Sequence, residues 1–194
     1  MQKSKQSSKL LKLIILSLLG TISFLLIFLN FPLPLLPPYL KIDFSEIPAL
    51  LAALIFSPMA GIAVEAIKNI LYLAIGTGEP VGVAANFLAG ILFIVPAAVL
   101  YHKYKGVKSI ISGLVTGTII MAIAMSVLNY LVILPIYAWF MGMEDMKIES
   151  VKRFAVLYGV LPFNLLKGII VALVFVPIYT KTRTWIEQKQ ANFS

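Results

Sequence analysis

Apolar residues run along this chain in stretches of helix length. Polar or proline-bearing interruptions divide them into six, at about 10–30, 46–56, 58–75, 81–101, 109–138 and 155–180. Runs of this length predict helices, whereas a transmembrane barrel would show shorter segments alternating apolar with polar. The 46–56 stretch is short. At the helical rise it reaches ~16 Å, about half of a ~30 Å hydrocarbon core. Ser57-Pro58 separates it from the third stretch, since proline breaks a helix interior. Charge decides between one kinked crossing over 46–75 and a hairpin of two segments. Only the hairpin brings Lys103, Lys105 and Lys108 to the side of the amino-terminal lysines, as the excess of basic residues in cytoplasmic loops requires.

Composition agrees with the pattern. The chain has 194 residues, 60% hydrophobic and 12% charged, with a mean hydropathy of +0.98. A soluble domain is roughly half apolar and a quarter charged. The reading is therefore an all-α integral membrane protein: one transmembrane domain over 1–194, six helices in one bundle, tails 1–9 and 181–194, and both termini cytoplasmic. The basic amino terminus is expected to lead into a retained span, because Asn30-Phe-Pro offers no small-residue cleavage site. The net charge of +8 does not point to nucleic acid, because its lysines and arginines flank the apolar stretches. Lys3, Lys5, Lys9, Lys12, Lys103, Lys105, Lys108, Lys181, Arg183 and Lys189 fall on one side of the six-span arrangement. The absence of cysteine excludes disulfides, thiolate metal sites and cysteine nucleophiles.

Between the first two apolar stretches lies Phe31–Pro48, with five prolines (Pro32, Pro34, Pro37, Pro38 and Pro48). No continuous helix passes through them. Yet Phe31, Leu33, Leu35, Leu36, Tyr39, Leu40, Ile42 and Phe44 need a surface to cover. The segment is either a lid over a site on the outer side or a stiff connector resting on headgroups. Ser45 is placed to cap the helix that begins near Glu46.

Nothing in the chain resembles a catalytic constellation. There is no Gly-x-x-x-x-Gly-Lys-Ser/Thr loop, and the single histidine, His102, sits among lysines at the cytoplasmic edge as a surface residue. Polar residues within the spans are more informative, since each is costly in lipid. Glu65 and Lys68 are three apart and should neutralise each other within the bundle, away from any outer site. Asn86, Asn129, Asn164 and Lys167 lie on three different stretches but at one depth in the outer half, beneath the proline-rich loop. Asparagines also link helices structurally. A lysine at that depth with no evident acidic partner is harder to explain that way. Gly113 and Gly117 form a GxxxG pair suited to close helix packing.

The run Asn30-Phe-Pro-Leu-Pro, followed by Lys41-Ile-Asp-Phe-Ser-Glu-Ile-Pro-Ala, resembles the riboflavin-specific S components of energy-coupling-factor (ECF) vitamin transporters. The similarity continues through Glu65-Ala-Ile-Lys-Asn69, Ala85-Asn-Phe-Leu-Ala-Gly90 and Asn164-Leu-Leu-Lys167. The resemblance implies a non-enzymatic capture subunit of a prokaryotic cell membrane. Such a subunit takes riboflavin from outside and works with a transmembrane coupling protein and two ATPase subunits. It implies a flavin site built from Asn164, Lys167, Asn129 and Asn86, closed by Leu40, Tyr39, Ile42 and Phe44 from the proline-rich loop. Small residues on the first helix, here Ser17, Gly20 and Thr21, would meet the coupling protein. The alternatives are an S component for another vitamin or for FMN, and a membrane assembly protein whose polar residues only hold helices together.

Overall fold

The computed structural model describes residues 2–37, 40–76, 78–140, 142 and 144–193. Helix α1 (Gln2–Leu26) starts inside the lysine-rich amino terminus, which is helical and not a loose tail. Lys, Gln and Leu are good helix formers, and no proline interrupts them. After α1 the chain forms a small antiparallel ribbon, β1 (Phe31–Pro32) with β2 (Lys41–Ile42), pairing Phe31 with Ile42 and Pro32 with Lys41.

Helices α2 (Glu46–Ile55) and α3 (Pro58–Ala74) follow. The Ser57 side chain accepts from the Ala60 N–H at 3.3 Å, and Pro58 opens the helix where its missing donor costs nothing. The two helices run antiparallel: Gly61 lies against Ala53 near the turn, and Lys68 meets Ser45 at the far end.

Helix α4 (Pro80–Tyr104) packs along α5 (Gly106–Leu128). The seam is formed by the two glycines of the GxxxG pair. A Cβ on Gly113 would come 2.9 Å from the Ala97 Cα, and one on Gly117 would overlap the Phe93 carbonyl. Helix α5 passes through a π turn (Asn129–Ile133) into α6 (Leu134–Phe140). A 3-10 turn (Glu144–Lys147) leads to α7 (Glu149–Phe154), a second π turn (Ala155–Val160) and α8 (Leu161–Phe193). Each π turn is followed two residues later by a proline, Pro135 and Pro162. Proline cannot donate to the carbonyl four residues back, which loosens the preceding turn. Helix α8 continues through the expected carboxyl-terminal tail, again without a proline after Pro177.

Among the described residues, four helical stretches, Ser8–Leu26, Pro80–Tyr104, Gly106–Phe140 and Glu149–Ala191, are long and apolar enough to cross a membrane. Their outer faces expose leucine, isoleucine and valine, as a lipid-facing bundle should. Inside, Leu50, Leu54, Phe93, Ile94, Leu114, Met121 and Phe175 form a continuous core. Tyr101 and Tyr179 stack edge to face within it, with centroids 5.6 Å apart.

Candidate functional site

Near the ribbon the bundle encloses a cavity of about 360 Å³, within the roughly 300–1,000 Å³ typical of small-molecule sites. Three helical stripes form its wall: Gly82, Ala85, Asn86 and Ala89 from α4; Met125, Asn129 and Ile133 from α5 and its π turn; Val160 from the second π turn with Phe163, Asn164 and Lys167 from the start of α8. The three- and four-residue spacing within each stripe is the helical repeat, which puts those side chains on one face. Leu40 and Lys41 complete the wall from the loop, and Tyr137 and Met146 from the α6 side. The π turns place Asn129 and Val160 on this wall, and such turns recur at functional sites.

Five residues that the sequence singles out therefore meet here: Leu40, Asn86, Asn129, Asn164 and Lys167. Ile42 and Phe44 do not line the cavity. Ile42 is fully buried opposite Phe31 in the ribbon, and the Phe44 ring lies against the Phe31 ring, 6.3 Å between centroids. The chain turns into α2 at this point and takes both side chains with it. Tyr39 lies outside the described residues. Pro37 and Leu40 approach Gly159 of the second π turn, so the loop reaches across to the turn that precedes α8.

Each cavity amide keeps hydrogen-bonding capacity. Asn129 Nδ2 donates to the Met125 carbonyl and Asn164 Nδ2 to the Val160 carbonyl, both at 2.8 Å. Each retains its oxygen and one N–H. Asn86 Oδ1 is buried and accepts no hydrogen bond among the described residues. The wall is thus mainly apolar, with a few polar groups directed at whatever fills it.

Lys167 is not the unpaired lysine that the sequence suggests. Its Nζ lies 2.6 Å from Glu46 Oε1 and 3.8 Å from Asp43 Oδ2, with all three side chains buried. Sequence spacing conceals this pairing because the acids come from the loop and the start of α2. Nor is Glu65 remote from the site. It pairs with Lys68 at 2.7 Å, as their spacing requires, and Lys68 reaches Ser45 Oγ at 3.0 Å and Glu46 Oε1 at 3.9 Å. Ser45 makes no side-chain cap for α2: its backbone is already helical instead of extended as a cap requires, and its hydroxyl accepts from Lys68. Its N–H donates to Asp43 Oδ1 at 2.8 Å, and its carbonyl accepts from Ser23 Oγ of α1. Burial pushes the Asp43 carboxyl up, but the Lys167 and Lys68 ammoniums and the Ser45 hydrogen bonds outweigh it and hold the group below its ordinary value. One buried polar network thus joins α1, the loop, α2, α3 and α8 beside the cavity.

Asp43 and Glu46 are the residues that sequence reasoning overlooks. Two lysines inside apolar stretches call for nearby acids, and these two stand at the edge of one. Phe163 and Met125 were legible as members of the stripes that carry Asn164 and Asn129. Along α1, Ser17 and Thr21 are exposed, with Thr21 Oγ1 donating to the Ser17 carbonyl at 2.9 Å. Gly20 faces inward, where a Cβ would come 2.6 Å from Ile67 Cγ2, so it serves the contact with α3 and no outer surface. His102 is half-buried, and its Nε2 donates to the Ala53 carbonyl at 2.8 Å, tying α4 to α2. It is a structural residue and not a freely solvated one.

Residues 11–179 match the family described as ECF transporter, substrate-specific component. The chain is 50% identical over 186 residues to the riboflavin transporter FmnP of Bacillus subtilis (strain 168), covering 94% of this chain and 97% of that protein. It is 42% identical over 177 residues to the riboflavin transporter RibU of Staphylococcus aureus (strain TCH60), covering 91% and 93%. Among solved structures, the S component of a bacterial ECF transporter superposes with a TM-score of 0.79 at 41% identity, over 92% of this chain and 98% of that one.

Proposed function

The chain is a multi-pass membrane protein that belongs to the family of ECF-transporter substrate-specific components, and from that premise we propose that it captures riboflavin with high affinity for import. The observation that carries this reading is the convergence of Asn86, Asn129, Asn164 and Lys167 on one mainly apolar cavity. Riboflavin presents a flat apolar ring, one edge of alternating carbonyl, N–H and carbonyl groups, and a hydroxylated chain. Asn164 supplies a donor and an acceptor to that edge, and Lys167 a charged donor one helical turn further on. Asn129 and Asn86 reach the remaining ring atoms or the chain hydroxyls. The names of the two relatives support the same substrate.

The Phe31–Pro48 segment acts as the lid in this reading, with Leu40 closing over the ring. The bundle crosses the membrane six times, the α2–α3 hairpin included, with both termini in the cytoplasm and the cavity opening outward. The protein is no enzyme: a coupling protein meets it at α1, and two ATPase subunits supply the energy. The test is to purify the protein from cells grown with riboflavin and identify any bound molecule by visible absorption and mass. A yellow protein releasing riboflavin in about equimolar amount is the expected result. A protein that neither retains nor rebinds riboflavin, but binds another vitamin or FMN, overturns the assignment.

A further inference from the structure

We propose that Glu46 is a positioning residue for ligand capture, fixing the Lys167 ammonium at the cavity wall and tying it to the loop that covers the cavity. This rests on the reading that Lys167 meets bound riboflavin. The geometry has three parts. Lys167 lines the cavity, yet its only partners among the described residues are Glu46 at 2.6 Å and Asp43 at 3.8 Å. An ammonium has three donors, so the contact to Glu46 orients the group and leaves donor capacity for a ligand. The two acids stand on the segment that joins the loop to α2, three residues apart. Glu46 is itself held from behind: Lys68 lies 3.9 Å away, braced by Glu65 at 2.7 Å and Ser45 at 3.0 Å.

A flexible lysine side chain would otherwise lose considerable rotamer freedom on meeting a ligand. Here the protein has already ordered it, which lessens what binding must overcome. Because the same ammonium also attracts Asp43, a ligand that draws on Lys167 acts at the base of the loop.

If Glu46 only neutralised charge in the bundle, its loss would lower stability without depending on Lys167 for its effect on binding. A double-mutant cycle separates the two roles. Riboflavin affinity of the purified full chain is measured by fluorescence quenching for wild type, Glu46→Gln, Lys167→Met and the double variant. Glu46→Gln is expected to weaken binding by about tenfold or more. In the Lys167→Met background the same change is expected to have no further effect, within about twofold. Losses that multiply in the double variant overturn the proposal, as does a Glu46→Gln protein with wild-type affinity beside a weakened Lys167→Met. In that last case the flavin reading stands. Equal binding by wild type and Lys167→Met removes the reading beneath it instead. Should Glu46→Gln fail to fold, the cycle is run from Asp43→Asn. A loss of about threefold that disappears with Lys167→Met is then expected, and a loss that persists without Lys167 is the overturning result.

Discussion

Two buried residues of similar character, Asn164 and Glu65, are expected to respond differently to substitution, because one faces the cavity and the other faces the network behind it. Asn164 is 4% exposed and spends one N–H on its own helix, leaving the rest of its amide to the cavity. Losing one such partner costs roughly 1–3 kcal/mol, about five- to a hundredfold in affinity. Asn164→Ala is expected to weaken riboflavin binding by at least about tenfold with little change in melting temperature, read by titration and thermal unfolding of the same preparation. Glu65 touches Lys68 and not Lys167. Breaking a buried pair costs roughly 3–5 kcal/mol of stability, because the remaining charge is stranded. Glu65→Gln is therefore expected to lower the melting temperature while affinity stays within about threefold of wild type. A large affinity loss at unchanged stability would place Glu65 in the site.

Small residues serve two kinds of helix surface, one buried and one exposed. Along the α4–α5 seam, Gly117 stands where a side chain would run into the Phe93 backbone, which cannot rotate away. Overpacking of this kind costs about 1–3 kcal/mol or more, so Gly117→Leu is expected to unfold well below wild type in a thermal scan. The exposed face of α1 has no such neighbour. Ser17 and Thr21 leave a shallow place among Leu13, Leu18, Ile22 and Leu25, where another helix can come close. Ser17→Leu with Thr21→Leu is expected to leave riboflavin binding intact and abolish co-purification with the coupling protein, and uptake with it. Wild-type recovery of the partner would exclude this face as the dock.

At the scale of the molecule the two ends differ in charge and in shape. One end gathers Lys12, His102, Lys105 and Gln190 around a polar cleft; the other carries the ribbon, the cavity and Asp145. In the proposed topology the basic end lies in the cytoplasm. With no native cysteine to interfere, single cysteines at Lys105 and Lys181 are expected to react with an impermeant reagent only after the membrane is opened. A cysteine at Asp145 is expected to react in intact cells. Reaction at position 105 from outside would overturn both the six-span arrangement and the outward-facing cavity.

The class of protein, the approximate places of the apolar helices and the polar residues worth following were legible in the amino-acid order, because each rests on local physics; the helix ends were not, since α1 and α8 run on through both expected tails. A long apolar run must be a helix in lipid, proline must interrupt it, and an amide or ammonium inside it must find a partner. Helical periodicity likewise put Val160, Phe163, Asn164 and Lys167 on one face before any neighbour was known. Which partner each polar group finds is not local. Lys167 looked unpaired because Glu46 lies more than a hundred residues away, and only the packing of α2 against α8 brings them within 2.6 Å. Ser45 looked like a helix cap because no sequence pattern shows that its backbone is already helical and that its hydroxyl meets Lys68. Ile42 and Phe44 looked like residues that close over the ligand because nothing periodic in so short a ribbon shows that both turn to Phe31. Gly20 and Ser17 looked alike as small residues, until contact with Ile67 put one inside and left the other facing out. Burial and charge pairing depend on which surfaces meet, and for this chain the tertiary structure alone decided that.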